Sequence, residues 1–261
     1  MTRTVVRHVV ITGASAGIGR ALARAYAEPG TVLGLVGRDA QRLSECAADC
    51  RARGAEVVTG QFDVRDAQAV EHWLRQFDAC YPIDLLIANA GVASTLASSA
   101  DWEGRDRTAR VVDTNFYGAI NVVLPVVERM RERKRGQVAM VASLAALRGM
   151  AISPAYCASK AAVKAFADSV RPLLRRDGIS LTVVLPGFVE TAMSDVFPGD
   201  KLFMWTPDKA AVHIRRKLTE RRGEIAFPRL LNLGMRILPL LPIRIADTIL
   251  GVLYPVPHEE R

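Results

Sequence analysis

HVVITGASAGIGRALARAYAEPG, residues 8–30, joins an unbroken apolar run to a glycine turn and then to an alanine-rich amphipathic stretch. The run from His8 to Thr12 reads as a buried strand, and the stretch after it as a helix that stops at Pro29 and Gly30. Gly13, Gly17 and Gly19 let the backbone turn sharply and approach a ligand with no Cβ in the way. The free amides at the helix start then face an anion, helped by the helix dipole. Such a turn also occurs as plain strand-to-helix packing. Its place between a strand and a helix favours a nucleotide phosphate.

Working outward, the same alternation repeats. TVLGLVG (31–37) is a second strand, and AQRLSECAADCRARG (40–54) is a helix stopped by Gly54. AEVVTGQFDV (55–64), IDLLIANAG (83–91), GQVAMVAS (136–143) and ISLTVVLPG (179–187) are further strands separated by helical stretches. Continuous Val/Ile/Leu runs joined by helices mean parallel strands covered on both faces. The expectation is one α/β, doubly wound Rossmann domain over 1–261. Its core spans about 5–227, and an amphipathic C-terminal extension spans about 228–261. No linker or repeat divides it.

Half of the 261 residues are hydrophobic and 24% are charged, a globular composition with a formal net charge of +8. Such a charge suits nucleic acid, an anionic membrane surface or a phosphorylated ligand. Aromatic residues are few and no helix-turn-helix, zinc-finger or RNP-like pattern is present, so no nucleic-acid partner is expected. The four cysteines form neither a CxxC pair nor a metal set with histidine, so no metal is expected; they read as buried hydrophobes in a reducing cytoplasm. There is no signal-peptide pattern and no apolar stretch of the ~18 residues that a membrane span needs. The reading is cytoplasmic, with membrane association through the tail left open.

Two further places carry chemistry. The strand 31–37 ends in Gly37, and Arg38 follows, so a guanidinium rather than a carboxylate is offered where dinucleotide folds meet the adenosine ribose. That favours NADP over NAD, although Asp39 is placed to pair with Arg38. In SPAYCASK (153–160), Tyr156 and Lys160 are four apart and share one helix face. An ammonium beside a phenol stabilises the phenolate and draws its pKa toward neutrality. Ser143, at the carboxyl end of its strand, lies where such sheets bind ligands. Asn115, in DTNFYGA, falls early in the long helix before that strand.

Taken together, TGxxxGIG at 12–19, Asp63 in FDV, ANAG at 88–91, Asn115, Ser143, YCASK at 156–160 and PGFVET at 186–191 resemble the short-chain dehydrogenase/reductase family. The likeness runs from about residue 8 to 193. It implies an NAD(P)-dependent enzyme in which Tyr156 is the general acid in carbonyl reduction and the base in the reverse direction. It implies that Ser143 holds the substrate carbonyl, Lys160 lowers the tyrosine pKa and holds the nicotinamide ribose, and Asn115 positions a water behind the lysine. For the cofactor it implies Gly13, Ser15, Gly17, Ile18 and Gly19 at the phosphates, and Asp63 and Val64 at the adenine. Asn89, Ala90 and Gly91 line the cleft, with Pro186, Gly187, Val189 and Thr191 around the nicotinamide. A homodimer through the helices around Asn115 and Tyr156 is implied as well.

Some features depart from the family pattern. Ala88 and Ala142 stand where Asn and Ser are frequent. Pro172 falls inside the helix expected after Tyr156, where it removes the bond to Asp168 and is expected to kink it, at about 3 kcal/mol. Many tetrameric relatives end in a strand and a glycine-rich tail; here GEIAFPRLLNLG leads instead into an apolar tail broken by Pro239 and Pro242, so a tetramer is in doubt. Between Thr191 and this tail, Phe197, Leu202, Phe203, Met204 and Trp205 either line a substrate cover or plug the core. From Arg215 to Arg244 there are eight Lys/Arg against two Glu. The tail reads as a cover over the substrate mouth, a subunit interface or an interfacial membrane anchor.

The leading expectation is an NADP-dependent oxidoreductase interconverting a carbonyl and an alcohol, on a partly hydrophobic substrate. Its alternatives are an NAD-dependent alcohol or sugar dehydrogenase in lipid or surface-polysaccharide synthesis, and a non-catalytic nucleotide-binding regulator.

Overall fold

A computed structural model of the chain describes residues 6–257. The expected start of the core at residue 5 and the end of the extension, 258–261, lie outside the described residues.

The first half alternates strands and helices as the apolar runs dictate. β1 (His8–Thr12), α1 (Gly17–Tyr26), β2 (Val32–Gly37), α2 (Ala40–Ala52), β3 (Glu56–Gln61), α3 (Ala67–Cys80) and β4 (Leu85–Ala88) follow one another. Asp39 and Asp66 cap α2 and α3, each accepting a backbone N–H three residues on. α4 (Arg105–Val112) passes through a single wide π turn, Asp113–Tyr117, into α5 (Gly118–Glu132). β5 (Gly136–Val141), α6 (Pro154–Arg176), β6 (Ile179–Pro186), the short α7 (Ala192–Asp195), α8 (Pro207–Leu218) and β7 (Glu224–Phe227) complete the domain.

All seven strands are parallel, in the order β3-β2-β1-β4-β5-β6-β7. Every crossover between neighbours is a helix, as parallel pairing demands. α1, α2 and α8 bury Leu22, Leu43, Cys46, Cys50 and Ile214 on one face, and α3, α5 and α6 bury Leu74, Phe77, Val122, Val126 and Val163 on the other. The order reverses at β1 and β4, and the crevice beyond their carboxyl ends is where such sheets take ligands.

Two expectations change. GEIAF does form a final strand, because Glu224–Phe227 pairs in register with Val183–Pro186; the departure from tetrameric relatives begins only after Phe227. Pro172 lies inside α6, which stays helical to Arg176, and the Asp168 carboxylate accepts from Lys164 and Arg171. Cys80 is exposed, unlike the buried Cys46, Cys50 and Cys157.

The tail folds as the prolines require, in short pieces: α9 (Arg229–Ile237), a 3-10 turn at Leu238–Leu240 and α10 (Ile243–Leu253). Met235, Leu238, Ala246, Leu250 and Tyr254 anchor these pieces to the α6 side of the sheet. The Ser99 N–H donates to the Pro257 carbonyl, and Arg148 pairs with Asp247. No helix among the described residues is long and apolar enough to cross a membrane.

Candidate active site

The turn after β1 is tied down by β4. The Thr12 hydroxyl accepts the N–H groups of Asn89 and Ala90, and Asn89 Nδ2 donates back to the Thr12 carbonyl at 3.0 Å. Gly13 sits at φ +66°, and Gly19 is packed so closely that a Cβ there would lie 2.1 Å from the Gly13 carbonyl oxygen. The loop therefore has no spare volume on its protein side, and its amides at the start of α1 open to the crevice.

At the tip of β2 the anticipated Arg38–Asp39 pair does not form. Asp39 is engaged as the cap of α2, accepting from the Arg42 backbone and guanidinium, while Arg38 leans 3.5 Å from Asp63 across the cleft. Burial pushes the Asp63 carboxyl up, but its bonds to Arg65 and the Arg38 charge outweigh this and hold it below the usual range.

Across the sheet, α6 begins at Pro154, whose missing N–H costs nothing at a helix start. Ser153 turns its hydroxyl to the Ser94 carbonyl, and the α6 amide at Ala155 is taken instead by the Glu103 carboxylate at 2.7 Å. Tyr156 and Lys160 share one face of α6, with Lys160 Nζ 5.8 Å from the phenol ring centroid. Nζ donates to the Val141 carbonyl at 3.0 Å. Burial pushes Tyr156 up to about 12, with the neighbouring Ser143 hydroxyl pulling it back, and burial pushes Lys160 down to about 8. At neutral pH the pair is thus a phenol beside an ammonium. The expected lowering of the tyrosine by the lysine is not what dominates; desolvation is.

Asn115 lies in the π turn, not in a regular helix, and is 1% exposed. It accepts the Val92 N–H, and its Nδ2 donates to the Val92 carbonyl and the Ser159 hydroxyl. A Cβ at Gly91 would meet Asn115 Oδ1 at 3.0 Å and Lys160 Nζ at 3.3 Å, so the asparagine stands just behind the lysine. Wide π turns of this kind recur at functional sites.

One cleft of about 780 Å³ gathers these groups. Gly13, Ser15, Gly17, Ile18, Arg38, Asp63, Val64, Asn89, Ala90, Gly91, Ser143, Tyr156, Lys160, Pro186, Gly187, Val189 and Thr191 all line it. Gly19 and Asn115 do not: the first lies behind the turn and the second behind Lys160. Of the segment 194–205, only Ser194, Val196 and Phe197 of the lining are contributed. Leu202, Phe203 and Met204 face solvent, and Trp205 stacks on Phe227 at 4.7 Å.

A family model described as short chain dehydrogenase matches residues 7–201. This chain belongs to that family. An uncharacterized oxidoreductase of Myxococcus xanthus is 34% identical over 243 residues, covering 92% of this chain and 95% of its own. The ketoacyl reductase HetN of Nostoc sp. is 32% identical over 198 residues, 74% of this chain and 68% of the relative. Among solved structures, levodione reductase superposes with a TM-score of 0.79 over 87% of this chain and 98% of that one, at 23% identity, a likeness of fold.

Short-chain dehydrogenases bind a nicotinamide dinucleotide, and the crevice of this one fits it. The glycine cradle leaves room only on the ligand side, and a Cβ at Gly17 would strike Thr191 Cγ2 at 2.9 Å. The cleft runs on past Tyr156 to Phe188, within PGFVET, and to residues the motifs gave no hint of: Met150, Met193, Leu231, Met235 and Tyr254. The last three come from α9 and from the residue after α10, where only tail hydrophobicity signalled them. Among the described residues no group of three His, Cys, Asp or Glu could hold a metal.

Proposed function

We propose that this oxidoreductase reduces an apolar ketone or aldehyde to the alcohol with NADPH, Tyr156 giving the proton. The meeting of Tyr156, Ser143 and Lys160 on one wall of the cleft, with an uncharged wall beyond them, carries this reading. Bound NADPH supplies the hydride to the carbonyl carbon. Ser143 donates to the carbonyl oxygen, and Tyr156 passes its phenolic proton to that oxygen as charge develops there. The Lys160 ammonium stabilises the phenolate left behind, and Asn115 holds Gly91–Val92 and the lysine's surroundings in place. Arg38 and Arg42 line the cleft beside the tip of β2, where dinucleotide folds meet the adenosine ribose, which supports NADPH over NADH. The name of the Nostoc relative, a ketoacyl reductase, agrees with a carbonyl substrate.

The same reading makes the protein a cytoplasmic homodimer joined through α5 and α6, with its tail against a membrane surface. Leu124 and Leu173 are 45% and 56% exposed beside a groove between those helices, lined also by Val127, Phe166 and Val170.

The direct test is cofactor oxidation against long-chain ketones, steroids, quinones and keto-sugars, with NADPH and NADH in parallel. Turnover lost on Tyr156→Phe supports the assignment; turnover retained in that variant defeats it. Arg38→Ala should weaken NADPH binding about tenfold and leave NADH binding alone, measured by cofactor fluorescence titration. An equal loss for both cofactors would remove the basis for the preference.

A pH profile tests the lysine. With Tyr156 near 12, the phenol keeps its proton throughout the working range, whereas Lys160, near 8, loses its charge as pH rises through that value. Reduction should therefore be flat below about pH 8 and fall above it. Lys160→Arg, whose charge persists, should lift that limb by at least about two pH units even where its overall rate is lower. A limb unmoved by the arginine would assign it to another group.

A further inference from the structure

We infer that the tail helices seat this protein on an anionic lipid surface and that its substrate is a long-chain ketone taken into the cleft directly from the bilayer. The inference rests on the carbonyl-reductase reading for the chemistry, and on the tail for the route.

The cleft has two chemically different ends. Apart from Lys160, its charged lining residues, Arg38, Asp39, Arg42 and Asp63, all stand at the ends of β2 and β3 or in the first turn of α2. Beyond Tyr156 the wall is apolar or aromatic: Met150, Phe188, Phe197, Leu231, Met235 and Tyr254. Phe197 meets the Tyr156 ring edge-on at 5.8 Å, and Phe188 continues the series to Tyr254. A chain of methylenes satisfies this wall; a carboxylate or phosphate next to the carbonyl would be buried without a partner.

α9, which lends Leu231 and Met235 to the far wall, is apolar on its outer side too, and so are the turn and the helix that follow it. Leu230, Leu233, Leu240, Ile243 and Val252 are 67%, 57%, 82%, 71% and 76% exposed. Surfaces of this kind mark a partner or a membrane. Among the described residues Arg229 and Arg244, both exposed, make no salt bridge, and they adjoin Leu230 and Ile243 in the chain. A second copy docked here about a twofold axis would bring the same tail, whose one carboxylate among the described residues, Asp247, is already paired with Arg148. An anionic bilayer instead neutralises Arg229 and Arg244 while the leucines enter its interface. The groove between α5 and α6 offers a second copy a separate place. α9 therefore has one side in the cleft and the other on the lipid, the arrangement that passes an alkyl chain from bilayer to active site without crossing water.

The test uses the full chain loaded with NADPH and a triple variant, Leu233→Glu, Leu240→Glu and Val252→Glu, whose positions lie outside the cleft lining. Flotation is measured on vesicles of equal parts phosphatidylcholine and phosphatidylglycerol, and on phosphatidylcholine alone. Wild type should float with the mixed vesicles. The triple variant should lose roughly a hundredfold in partitioning, the product of three apolar insertions. Pure phosphatidylcholine should weaken wild-type binding by about fivefold for each of Arg229 and Arg244.

Substrate entry is read by photolabelling with a methyl pentadecyl ketone that carries a diazirine on its chain, dissolved in the mixed vesicles. Label should reach Leu231–Met235 and Tyr254 in wild type and in Tyr156→Phe alike, and be lost in the triple variant. Because Tyr156→Phe needs no turnover to be labelled, labelling without any ketone reduction would defeat the reductase reading and leave only the membrane seat and the route of entry standing. Wild type that fails to float, label confined to the outer tail face, or equal labelling of the triple variant would overturn the inference. So would a fall in molecular mass of the triple variant by light scattering, which would assign the face to a second copy.

Discussion

Tyr156→Phe should keep the fold and NADPH binding and lower turnover by at least about a thousandfold. The substitution removes only the hydroxyl. The ring keeps its edge contact with Phe197 and its buried place in the core facing α6. What disappears is the proton donor, a phenol that burial holds protonated up to about 12. Lys160 cannot replace it, because its Nζ is turned to the Val141 carbonyl and stands 5.8 Å from the centre of the ring. Ser143 remains to polarise the carbonyl, so a residual rate above the uncatalysed one is expected. Cofactor fluorescence and steady-state rates on the same preparation decide the matter. Unchanged turnover removes Tyr156 from the chemistry, and lost cofactor binding would give it a structural role instead.

The second large effect belongs to Gly19. Alanine there places a methyl 2.1 Å from the Gly13 carbonyl oxygen and 2.6 Å from Asn89 Nδ2, with backbone and a tied side chain as the obstacles. Neither can move cheaply, since Asn89 and Thr12 lock the turn to β4. Gly19→Ala should cost about 3 kcal/mol of stability and abolish cofactor binding, although the residue does not line the cleft. Gly234, in the middle of α9 with nothing within 4 Å of its would-be Cβ, is the control. Gly234→Ala should be neutral or stabilise by up to about 1 kcal/mol. Thermal unfolding and NADPH titration of the two variants should therefore diverge in opposite directions. Similar melting temperatures would mean that the turn opens more easily than its packing indicates.

These two cases also mark how far the sequence could be read. Parallel strands announce themselves because both of their faces are buried, and β1 to β6 lie within the apolar runs from which they were expected. β7 escaped notice because four residues, EIAF, show no sustained pattern and are followed at once by proline. Tyr156, Lys160 and Ser143 were legible because motif spacing and strand ends fix where they project. The order of desolvation over charge at Tyr156 was not, since burial is decided by residues distant in the chain. Arg38 illustrates the same limit: its local neighbour Asp39 is engaged as a helix cap, and Asp63, twenty-five positions on, is the carboxylate it faces. The apolar wall was the least legible. Leu202, Phe203 and Met204 follow Thr191 closely but face solvent, whereas Leu231, Met235 and Tyr254 reach the cleft from the tail.

The strand order has a consequence for a chain that emerges from the ribosome amino end first. β2 and β3 extend one side of β1; then β4, β5, β6 and β7 are added singly to the other side. No strand is inserted between two already paired, so each finds an open edge when it is made, and vectorial synthesis and assembly run in the same direction. The dinucleotide turn is closed once β4 has emerged. The tail arrives last, laid over a sheet and a cofactor crevice already in place.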